Sequence, residues 1–494
     1  MTVLVVPGLP ESRAATAPDR PALADARASL TNAGFADGVR RAAGHLASAG
    51  VGRNDVVGLL LSNRVELVVA LFAAWRLGAA ITPVNPALAG PEIEFQTTDA
   101  GAKILIVEPG SDHARSDTRL SCPTLSCDDL LADFARDDPD AVDVEGTDIA
   151  LLIYTAGTTG KPKGVMTTHA NIDAMTATFV DHFRFDETDH SLLVLPLFHA
   201  NGVVLGTLSP LRAGGQATIV GRFRPDEFFP AVEKHRPTYF SAVPAIYAML
   251  TALPDTVQPD TSSLRFGICG AAPMPADLIG RFERRFGVPI VEGYGLSETT
   301  TASALNPLDG VRKPGTVGPP LTGQQIRIVD EDLVDVPTGE PGEVLIAGDV
   351  VMAGYLNRPD ATAETIIDGW LRTGDVGRFD DDGYLLLVDR VKDMIIRGGE
   401  NIYPKEVEAV IYTDDGVFEA AVIGRPHDVL GEVPVAYVSL REGAATTVDD
   451  LYGLLRAQLA SIKVPVEIAV VDEIPKNPVG KIDKPTLRTR DAAR

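Results

Sequence analysis

Cysteine is scarce in this sequence, since only Cys122, Cys127 and Cys269 occur among 494 residues. An odd and sparse set of thiols argues against a disulfide framework and favours a reducing compartment, so we expect a cytoplasmic protein. Cys122 and Cys127 lie close together, as zinc ligands often do, but no second ligand pair stands near them. The sequence therefore predicts neither a disulfide framework nor a zinc ion.

Basic residues are also in short supply: 44 lysines and arginines face 68 aspartates and glutamates, which gives a formal net charge of −24. A surface of this sign repels phosphate backbones and anionic lipid heads, so nucleic acid is not an expected partner. An acidic chain can still bind an anionic ligand where local lysines and backbone amides neutralise its charge. Local basic residues therefore carry the most information.

Long hydrophobic runs are missing as well. The N-terminus lacks the basic and apolar regions of a signal peptide, and Pro7 and Pro10 interrupt its short apolar stretch. The most apolar segment, residues 67–81, contains Arg76 and is shorter than the roughly 18 residues that a membrane span needs. We predict a core helix there and no transmembrane segment.

The length of the chain exceeds what one hydrophobic core supports, which is roughly 250 to 300 residues. Short apolar runs alternate with helix-like stretches, as is typical of layered α/β folds with buried parallel strands. The runs cover residues 56–61, 104–107 and 149–154, and the helix-like stretches cover residues 36–48 and 66–77. The pattern predicts a large N-terminal domain of layered α/β subdomains.

Two further regions complete the predicted architecture. Residues 317–346 combine short strands with Pro and Gly turns, which indicates a small β-barrel-like unit within the large domain, residues 1–390. Residues 391–494 form a small α+β domain in this interpretation, with a helix from Pro404 and a polar loop at 475–483. Between them we expect strands near 420–423, 433–440 and 467–471 and a helix near 448–459.

The most informative stretch is residues 154–164, Tyr-Thr-Ala-Gly-Thr-Thr-Gly-Lys-Pro-Lys-Gly, which directly follows an apolar strand. Glycines let backbone amides approach an anion, threonine hydroxyls donate to phosphate oxygens, and lysines supply charge. Pro162 excludes the P-loop NTPase pattern. The alternative is a flexible surface turn. The phosphate-binding candidates are Thr155, Gly157, Thr158, Thr159, Gly160, Lys161 and Lys163.

This stretch resembles the signature of the AMP-binding, adenylate-forming superfamily, which includes acyl-CoA synthetases, peptide-synthetase adenylation domains and beetle luciferases. Further motifs follow in the order of that family over nearly the whole chain. They are Leu-Pro-Leu-Phe-His at 195–199, Gly-Ala-Ala-Pro at 270–273, Gly-Tyr-Gly-Leu-Ser-Glu-Thr at 293–299, Thr-Gly-Asp at 373–375, residues 389–401, and Asn-Pro-Val-Gly-Lys at 477–481. Ala156 departs from the pattern, because serine is common there.

The resemblance implies roles for the catalytic residues. Glu298 would hold Mg²⁺, a hard cation that prefers oxygen ligands, and Thr299 would contact the α-phosphate. Lys481 would bridge the substrate carboxylate and the α-phosphate and stabilise the charge that develops during adenylation. Taken alone, an exposed glutamate or C-terminal lysine is usually a solvated charge. Only the flanking motifs favour the catalytic interpretation.

The resemblance also implies the nucleotide contacts. Tyr294 and Gly295 would lie against adenine, Asp375 would accept bonds from both ribose hydroxyls, and Arg390 would add a cation near ribose and phosphate. Each has a plain structural alternative, such as a turn aspartate or a linker ion pair. The remaining strip against adenine would be Gly270, Ala271, Ala272 and Pro273.

The acid pocket and the moving parts are implied in the same way. His199 would line or gate an acid pocket with Phe198, Val203 and Val243, although a histidine beside apolar residues is often only packed. The small domain would rotate about Lys392, a hinge, between two reaction steps. Gly398 and Gly399 would then line the coenzyme A channel.

We therefore expect an ATP-dependent, AMP-forming carboxylic acid–CoA ligase that uses ATP, Mg²⁺ and coenzyme A. The apolar candidate pocket favours a fatty acid or another largely apolar acid, in fatty acid metabolism. Arg222 could instead pair with the second carboxylate of a malonate- or oxalate-type acid. The sequence also fits an enzyme that loads an acyl-carrier protein, or a nucleotide-binding regulatory protein on an enzyme scaffold. It leaves a homodimer open.

Overall fold

The structure is a computed structural model of the whole chain. It describes residues 4–110, 122–132, 139–155, 162–272, 274–390, 393–397, 400–427, 429–476 and 482–493, without the side chains of residues 390, 400 and 401.

The chain divides into two compact units. The first comprises Met1–Ile326, Ile346–Arg372 and Gly383–Leu385, and the second comprises Arg327–Leu345, Thr373–Asp382 and Leu386–Arg494. The division passes through strands of the region predicted to be barrel-like. The sequence predicts that a mobile cap domain begins after residue 390, and that boundary stays a prediction. The strands that the division crosses are Gln324–Val329, Gly342–Gly348, Trp370–Phe379 and Leu385–Arg390, and Ile366–Ile367 lies beside them.

An eight-stranded sheet lies in the described part of the first unit. Its six central strands run parallel, and an antiparallel strand lies at each edge. Parallel strands covered on both faces are rich in apolar residues, as these are. In spatial order the strands are Ala304–Leu305, Ile290–Tyr294, Phe266–Cys269, Tyr239–Ala242, His190–Leu193, Gln216–Ile219, Pro21–Ala24 and Ser29–Thr31.

A seven-stranded sheet in the same unit contains the apolar runs that were predicted to be strands. Parallel pairs join five of its strands, and two antiparallel strands follow at one edge. The predicted strands at 56–61, 104–107 and 149–154 are thus confirmed, with ends that differ by at most two residues. In spatial order the strands are Gly354–Tyr355, Lys163–Thr168, Ile149–Thr155, Ala80–Pro83, Val56–Leu60, Ala102–Val107 and Thr124–Ser126.

One large hydrophobic cluster joins the two sheets. It contains Val57 and Ile81 from the seven-stranded sheet and Leu193 and Ile268 from the eight-stranded sheet, all nearly inaccessible to solvent. Side chains from several helices complete this core, which confirms the predicted α/β layering. The helices in the described residues of the first unit include Leu9–Thr16, Asn32–Ser48, Val65–Arg76, Gly90–Asp99, Cys127–Leu130, His169–Phe183, Ala200–Val203, Ser209–Arg212, Pro225–His235, Pro244–Thr251, Ala276–Phe286 and Pro359–Thr365, with 3-10 turns at Val6–Gly8 and Ser297–Thr299.

The helix Val65–Arg76 covers most of the segment that was predicted to be a core helix. Every residue of it except Arg76 is buried, so it is apolar on all sides because the core surrounds it. The predicted core helix is confirmed over residues 67–76, whereas Ala80 and Ile81, at the end of the predicted segment, belong to the strand Ala80–Pro83. Among the described residues, none of the helices has the length and apolar character that crossing a membrane requires.

The second unit has its own core. Its five-stranded sheet pairs Val417–His427 with Gly431–Leu440 over nearly their full lengths, and Glu467–Val470 joins the latter in parallel. Ile411, Val422, Val438 and Leu455 pack together beneath it. The predicted α+β elements are therefore confirmed. The remaining elements are the strands Ile395–Arg397 and Glu400–Ile402 and the helices Pro404–Ile411, Val448–Gln458 and Lys484–Ala492.

We predict that Phe282→Ala lowers the free energy of unfolding by about 3–5 kcal/mol, because it opens a cavity in a closely packed aromatic cluster. Phe282 is fully buried on the helix Ala276–Phe286, and its ring centroid lies 5.0 Å from those of Tyr247 and Phe286. Arg281→Ala on the exposed side of the same helix is the control, since it removes only a surface ion pair with Asp277. Equal losses in denaturant unfolding would contradict this packing.

Candidate active site

Two adjacent parallel strands of the eight-stranded sheet end at the predicted adenine residues. Cys269 pairs with Glu292 in the register of Phe266–Cys269 and Ile290–Tyr294, so both strands finish at the same edge. Ligands of open α/β sheets bind at such carboxyl ends. The strip 270–272 follows the first strand, and Tyr294 ends the second. The structure therefore brings these predicted residues together, whereas Pro273 lies outside the described residues.

The backbones at this edge approach closely. A Cβ atom placed on Gly270 would lie 3.3 Å from the carbonyl oxygen of Gly293. Ala271 has a φ of +68°, which residues with a side chain seldom adopt. Strain of this kind concentrates at binding sites because the surrounding structure must impose it. The conformation supports a binding role for the strip without showing its ligand.

Gly295 permits the sharp turn after Tyr294. A Cβ atom at this position would lie 2.2 Å from the carbonyl oxygen of Thr301, so no other residue fits without moving the backbone. Tyr294 is mostly buried, with 8% of its surface exposed, and its carbonyl accepts a hydrogen bond from the Ser303 amide at 2.7 Å. The chain thus folds back on itself directly after the predicted adenine-stacking residue.

Glu298 lies inside this returning turn, on the 3-10 helix Ser297–Thr299. The next two residues, Thr300 and Thr301, both have positive φ, at 57° and 134°. Two consecutive β-branched residues in this region are a true conformational outlier. Thr299 is fully buried, and its hydroxyl bonds only within the turn, to the backbone of Leu296, among the contacts of the described residues. The Thr299 hydroxyl therefore needs a local rearrangement to contact a phosphate.

Tyr355, which no sequence motif singled out, contacts Glu298 directly. The Tyr355 hydroxyl donates to Oε1 of Glu298 at 2.8 Å, and the Lys163 Nζ lies 4.8 Å from the centroid of the same ring. Burial raises the pKa of the Tyr355 phenol above its ordinary value, and the Glu298 carboxylate raises it further. The phenol therefore remains a hydrogen-bond donor at neutral pH. The Gly-Tyr pair at 354–355 was too short to stand out as a strand.

The predicted phosphate loop joins two antiparallel strands. Thr155 pairs with Lys163 where the hairpin Ile149–Thr155 and Lys163–Thr168 begins to open. The predicted residues Gly157, Thr158, Thr159, Gly160 and Lys161 fall outside the described residues.

The hairpin is held in place next to this opening. The Tyr154 hydroxyl donates to Asp99 Oδ2 at 2.8 Å, and Arg358 binds the other oxygen of the same carboxylate at 3.0 Å. Asp99 ends the helix Gly90–Asp99, so three separate elements meet at one charged group. The base of the loop is therefore fixed from outside the loop.

The predicted acid-pocket residues differ in burial and in the hydrophobic cluster that they contact. Phe198 is half-buried and lies 4.6 Å, between ring centroids, from His199, which is exposed at the start of the helix Ala200–Val203. Val203 is fully buried in the large cluster that joins the sheets, whereas Val243 packs against a second cluster. The pocket assignment of these four residues stays a prediction.

A π-helical segment, Val204–Leu208, follows the helix after His199. Hydroxyls of Thr207 and Ser209 donate to carbonyls five residues earlier, at 2.9 and 2.8 Å. The wider turn thus has side-chain support. Such segments are uncommon and frequently mark functional sites, although the sequence carried no signal for one.

Of the predicted site residues in the second unit, Asp375 is described in full. It is buried, its amide donates to Thr373 Oγ1 at 3.0 Å, and Gly374 has a φ of +67°. Arg390 ends the strand Leu385–Arg390, but its side chain lies outside the described part of the chain. Lys392, Gly398, Gly399 and Lys481 also lie outside the described residues, so their roles stay predictions.

The carboxylate of Glu298 suits a magnesium ion. One oxygen accepts from Tyr355, while the described part of the chain offers no hydrogen-bond donor to the other. Glu298 is half-buried, and carboxylate oxygen is the ligand type that Mg²⁺ prefers. This one carboxylate therefore has the chemistry of the Mg²⁺ ligand that the resemblance implies, while no larger cluster of metal-binding side chains occurs among the described residues.

A second carboxyl group, that of Glu292, belongs to the strand Ile290–Tyr294. Glu292 is 7% exposed, accepts from the Gly315 amide at 3.2 Å and lines a cavity of about 120 Å³. Glu283, Arg312 and Lys313 line the same cavity. Burial raises the pKa of Glu292 to about 7, and the bond from Gly315 opposes the shift. No sequence motif pointed to this carboxyl group.

The chain matches a family of enzymes over most of its length. Residues 10–356 match the AMP-binding enzyme family, and residues 406–481 match the AMP-binding enzyme C-terminal domain. The chain therefore belongs to the AMP-binding, adenylate-forming superfamily, as the motifs predicted, and is an AMP-forming acid–CoA ligase.

Two curated relatives and one solved structure illustrate the match. A feruloyl-CoA synthase of Amycolatopsis sp is 38% identical, over 97% of this chain and 98% of its own. An oxalate–CoA ligase of Arabidopsis thaliana is 36% identical, over 97% and 96%. The crystal structure of ATP-bound MatB from Rhodopseudomonas palustris is 32% identical, covers 98% of both chains and has a TM-score of 0.90. ATP and coenzyme A are thus the co-substrates that this family implies.

We predict that the stability of the protein depends on pH through Glu292. Because its folded pKa is raised from 4.5 to about 7, its contribution is fully present below pH 4.5 and is lost as pH rises to about 7. Relative to Glu292→Gln, the wild-type free energy of unfolding should fall by about 3 kcal/mol over this range. Denaturant unfolding at several pH values measures it, and a difference independent of pH would refute it.

Proposed function

We propose that this acid–CoA ligase activates a largely apolar acid, either a fatty acid or an aromatic acid. The exposure of Arg222 is the observation that carries this choice, because a cation dedicated to a second carboxylate would be enclosed with it. Phe198 and Val243 are half-buried apolar side chains, as a pocket for such an acid requires. The feruloyl-CoA synthase relative supports an acid of this kind.

The proposed reaction has two steps. In the first, an oxygen of the substrate carboxylate attacks the α-phosphorus of ATP, and pyrophosphate leaves. In the second, the thiol of coenzyme A attacks the acyl carbon of the acyl-AMP, loses its proton and displaces AMP. The carboxylate is already ionised at neutral pH, so the first step needs no strong base.

The residues divide this work as follows. Lys163 and the phosphate loop would hold the β- and γ-phosphates, and Thr299 would contact the α-phosphate. Glu298 would hold Mg²⁺, which neutralises charge on the phosphates when bound. Tyr294 and the strip at 270–272 would hold adenine, and Asp375 would hold ribose. Lys481 would stabilise the charge that develops at the α-phosphate.

One competing substrate class has specific support. The oxalate–CoA ligase relative is nearly as similar to this chain as the feruloyl-CoA synthase. A small dicarboxylate is therefore the second candidate. Transfer to a carrier protein, homodimer formation and a cytoplasmic location stay predictions.

We expect fatty and aromatic acids to release pyrophosphate faster than oxalate or malonate when the purified enzyme is given ATP, Mg²⁺ and coenzyme A. Each methylene group that a smaller acid lacks in an apolar pocket costs about 1–3 kcal/mol of transition-state binding, which lowers kcat/KM by about 10- to 200-fold. Arg222→Ala should leave these rates unchanged, because the side chain is exposed. Turnover of oxalate or malonate alone, abolished in Arg222→Ala, would establish the dicarboxylate instead.

Replacing Lys481 with Ala should reduce acid-dependent pyrophosphate exchange by about 10²- to 10³-fold, the usual effect of losing one preorganised electrostatic contact. Conversion of preformed acyl-AMP to the thioester should survive and serves as the internal control. Equal losses in the two half-reactions would contradict the role of Lys481 in adenylation.

A further inference from the structure

We propose that Tyr355 is a positioning residue for adenylation: its hydroxyl fixes Glu298 so that one carboxylate oxygen is kept for the metal, while its ring supports Lys163. This inference rests on the proposed role of Glu298 in holding Mg²⁺. It concerns a residue outside the nucleotide and catalytic motifs, on the edge strand Gly354–Tyr355.

The hydroxyl of Tyr355 selects one oxygen of Glu298. It donates to Oε1 at 2.8 Å, and the residue is buried, with 9% of its surface exposed. A hydrogen bond to a charged acceptor in a buried setting is stronger than a neutral one. The carboxylate therefore has a fixed orientation, with Oε2 as its remaining oxygen. A metal ligand held in this way loses less rotational freedom on binding.

The backbone around Tyr355 supports the same turn from its other side. The amide of Met352 donates to the carbonyl of Glu298 at 2.9 Å, and the hydroxyl of Thr300 donates to the carbonyl of Val350 at 2.7 Å. The segment 350–355 thus binds both the main chain and the side chain of Glu298. The positive φ values of Thr300 and Thr301 require such support, because an unsupported turn would relax.

The ring of Tyr355 contacts the phosphate hairpin. Tyr355 pairs with Val165 across the strands Gly354–Tyr355 and Lys163–Thr168, and the Lys163 Nζ lies over its ring at 4.8 Å from the centroid. A cation over an aromatic face is stabilised by the negative potential of the ring. One side chain therefore places both a phosphate-binding cation and a metal-binding anion. The hydroxyl and the ring carry separable parts of this task.

Tyr355→Phe removes the hydroxyl but keeps the strand pairing and the ring that Lys163 contacts. We expect the Mg²⁺ concentration that gives half-maximal pyrophosphate exchange to rise about 10-fold or more, the usual effect of losing a partner of a metal ligand. The maximal rate at saturating Mg²⁺ should change little. Direct Mn²⁺ binding to the enzyme with ATP, followed by electron paramagnetic resonance, should weaken by a similar factor.

The matched control is Tyr247→Phe. Tyr247 is also buried, and its hydroxyl donates to the carbonyl of Ile268 at 2.9 Å, a bond of similar length to an acceptor distant from Glu298 in sequence. This variant should lose comparable stability without altering the Mg²⁺ dependence. A metal shift of equal size in both variants would reveal a general structural effect and overturn the proposal.

Two further variants complete the test. Tyr355→Leu removes both the hydroxyl and the ring. It should also raise the KM for ATP several-fold, because Lys163 loses its contact with the ring. Tyr355→Phe keeps that contact and should leave the KM for ATP unchanged. Glu298→Gln reports on the proposed function itself. If Glu298→Gln weakens Mn²⁺ binding but Tyr355→Phe does not, the positioning role is wrong. If Glu298→Gln leaves Mn²⁺ binding intact, the proposed metal role fails instead.

Discussion

The parallel pairing of Phe266–Cys269 with Ile290–Tyr294 is the constraint on which the predicted nucleotide side of the site depends. It brings the ends of two strands to one edge, so that a flat strip of small residues and an aromatic ring become neighbours. The chain must then reverse sharply, which only Gly295 permits. Glu298 and the strained threonines after it follow from that reversal.

Much of this arrangement could be predicted from sequence. Buried parallel strands have an apolar pattern that is visible without a structure, as at Val56–Leu60 and Ile149–Thr155. The residue types of the stretch 154–164 indicated phosphate binding, whereas the roles of Glu298 and Tyr294 were implied by the resemblance to the adenylate-forming superfamily. The strands were confirmed where the structure describes them. Tyr294 ends one of these strands and Glu298 lies on the turn that follows it, while their roles stay predictions.

The partners of those residues could not be predicted in the same way. Tyr355 is separated from Glu298 by 57 positions, on a two-residue strand that has no periodicity to detect. Glu292 looks like any strand residue until Gly315 and the cavity are seen beside it. Val203 and Val243 are apolar, as a pocket requires, but the fold places them in different hydrophobic clusters. Tertiary contacts between distant segments decide all three cases.

The phenol of Tyr355 has a consequence for charge in the site. Lys163 and Glu298 carry opposite signs, and a direct ion pair between them would consume both, yet within the described residues each contacts a different part of one aromatic side chain. The ring face attracts the ammonium group and the hydroxyl hydrogen attracts the carboxylate. The tyrosine thus binds both charged groups at once, so that neither has to form an ion pair with the other.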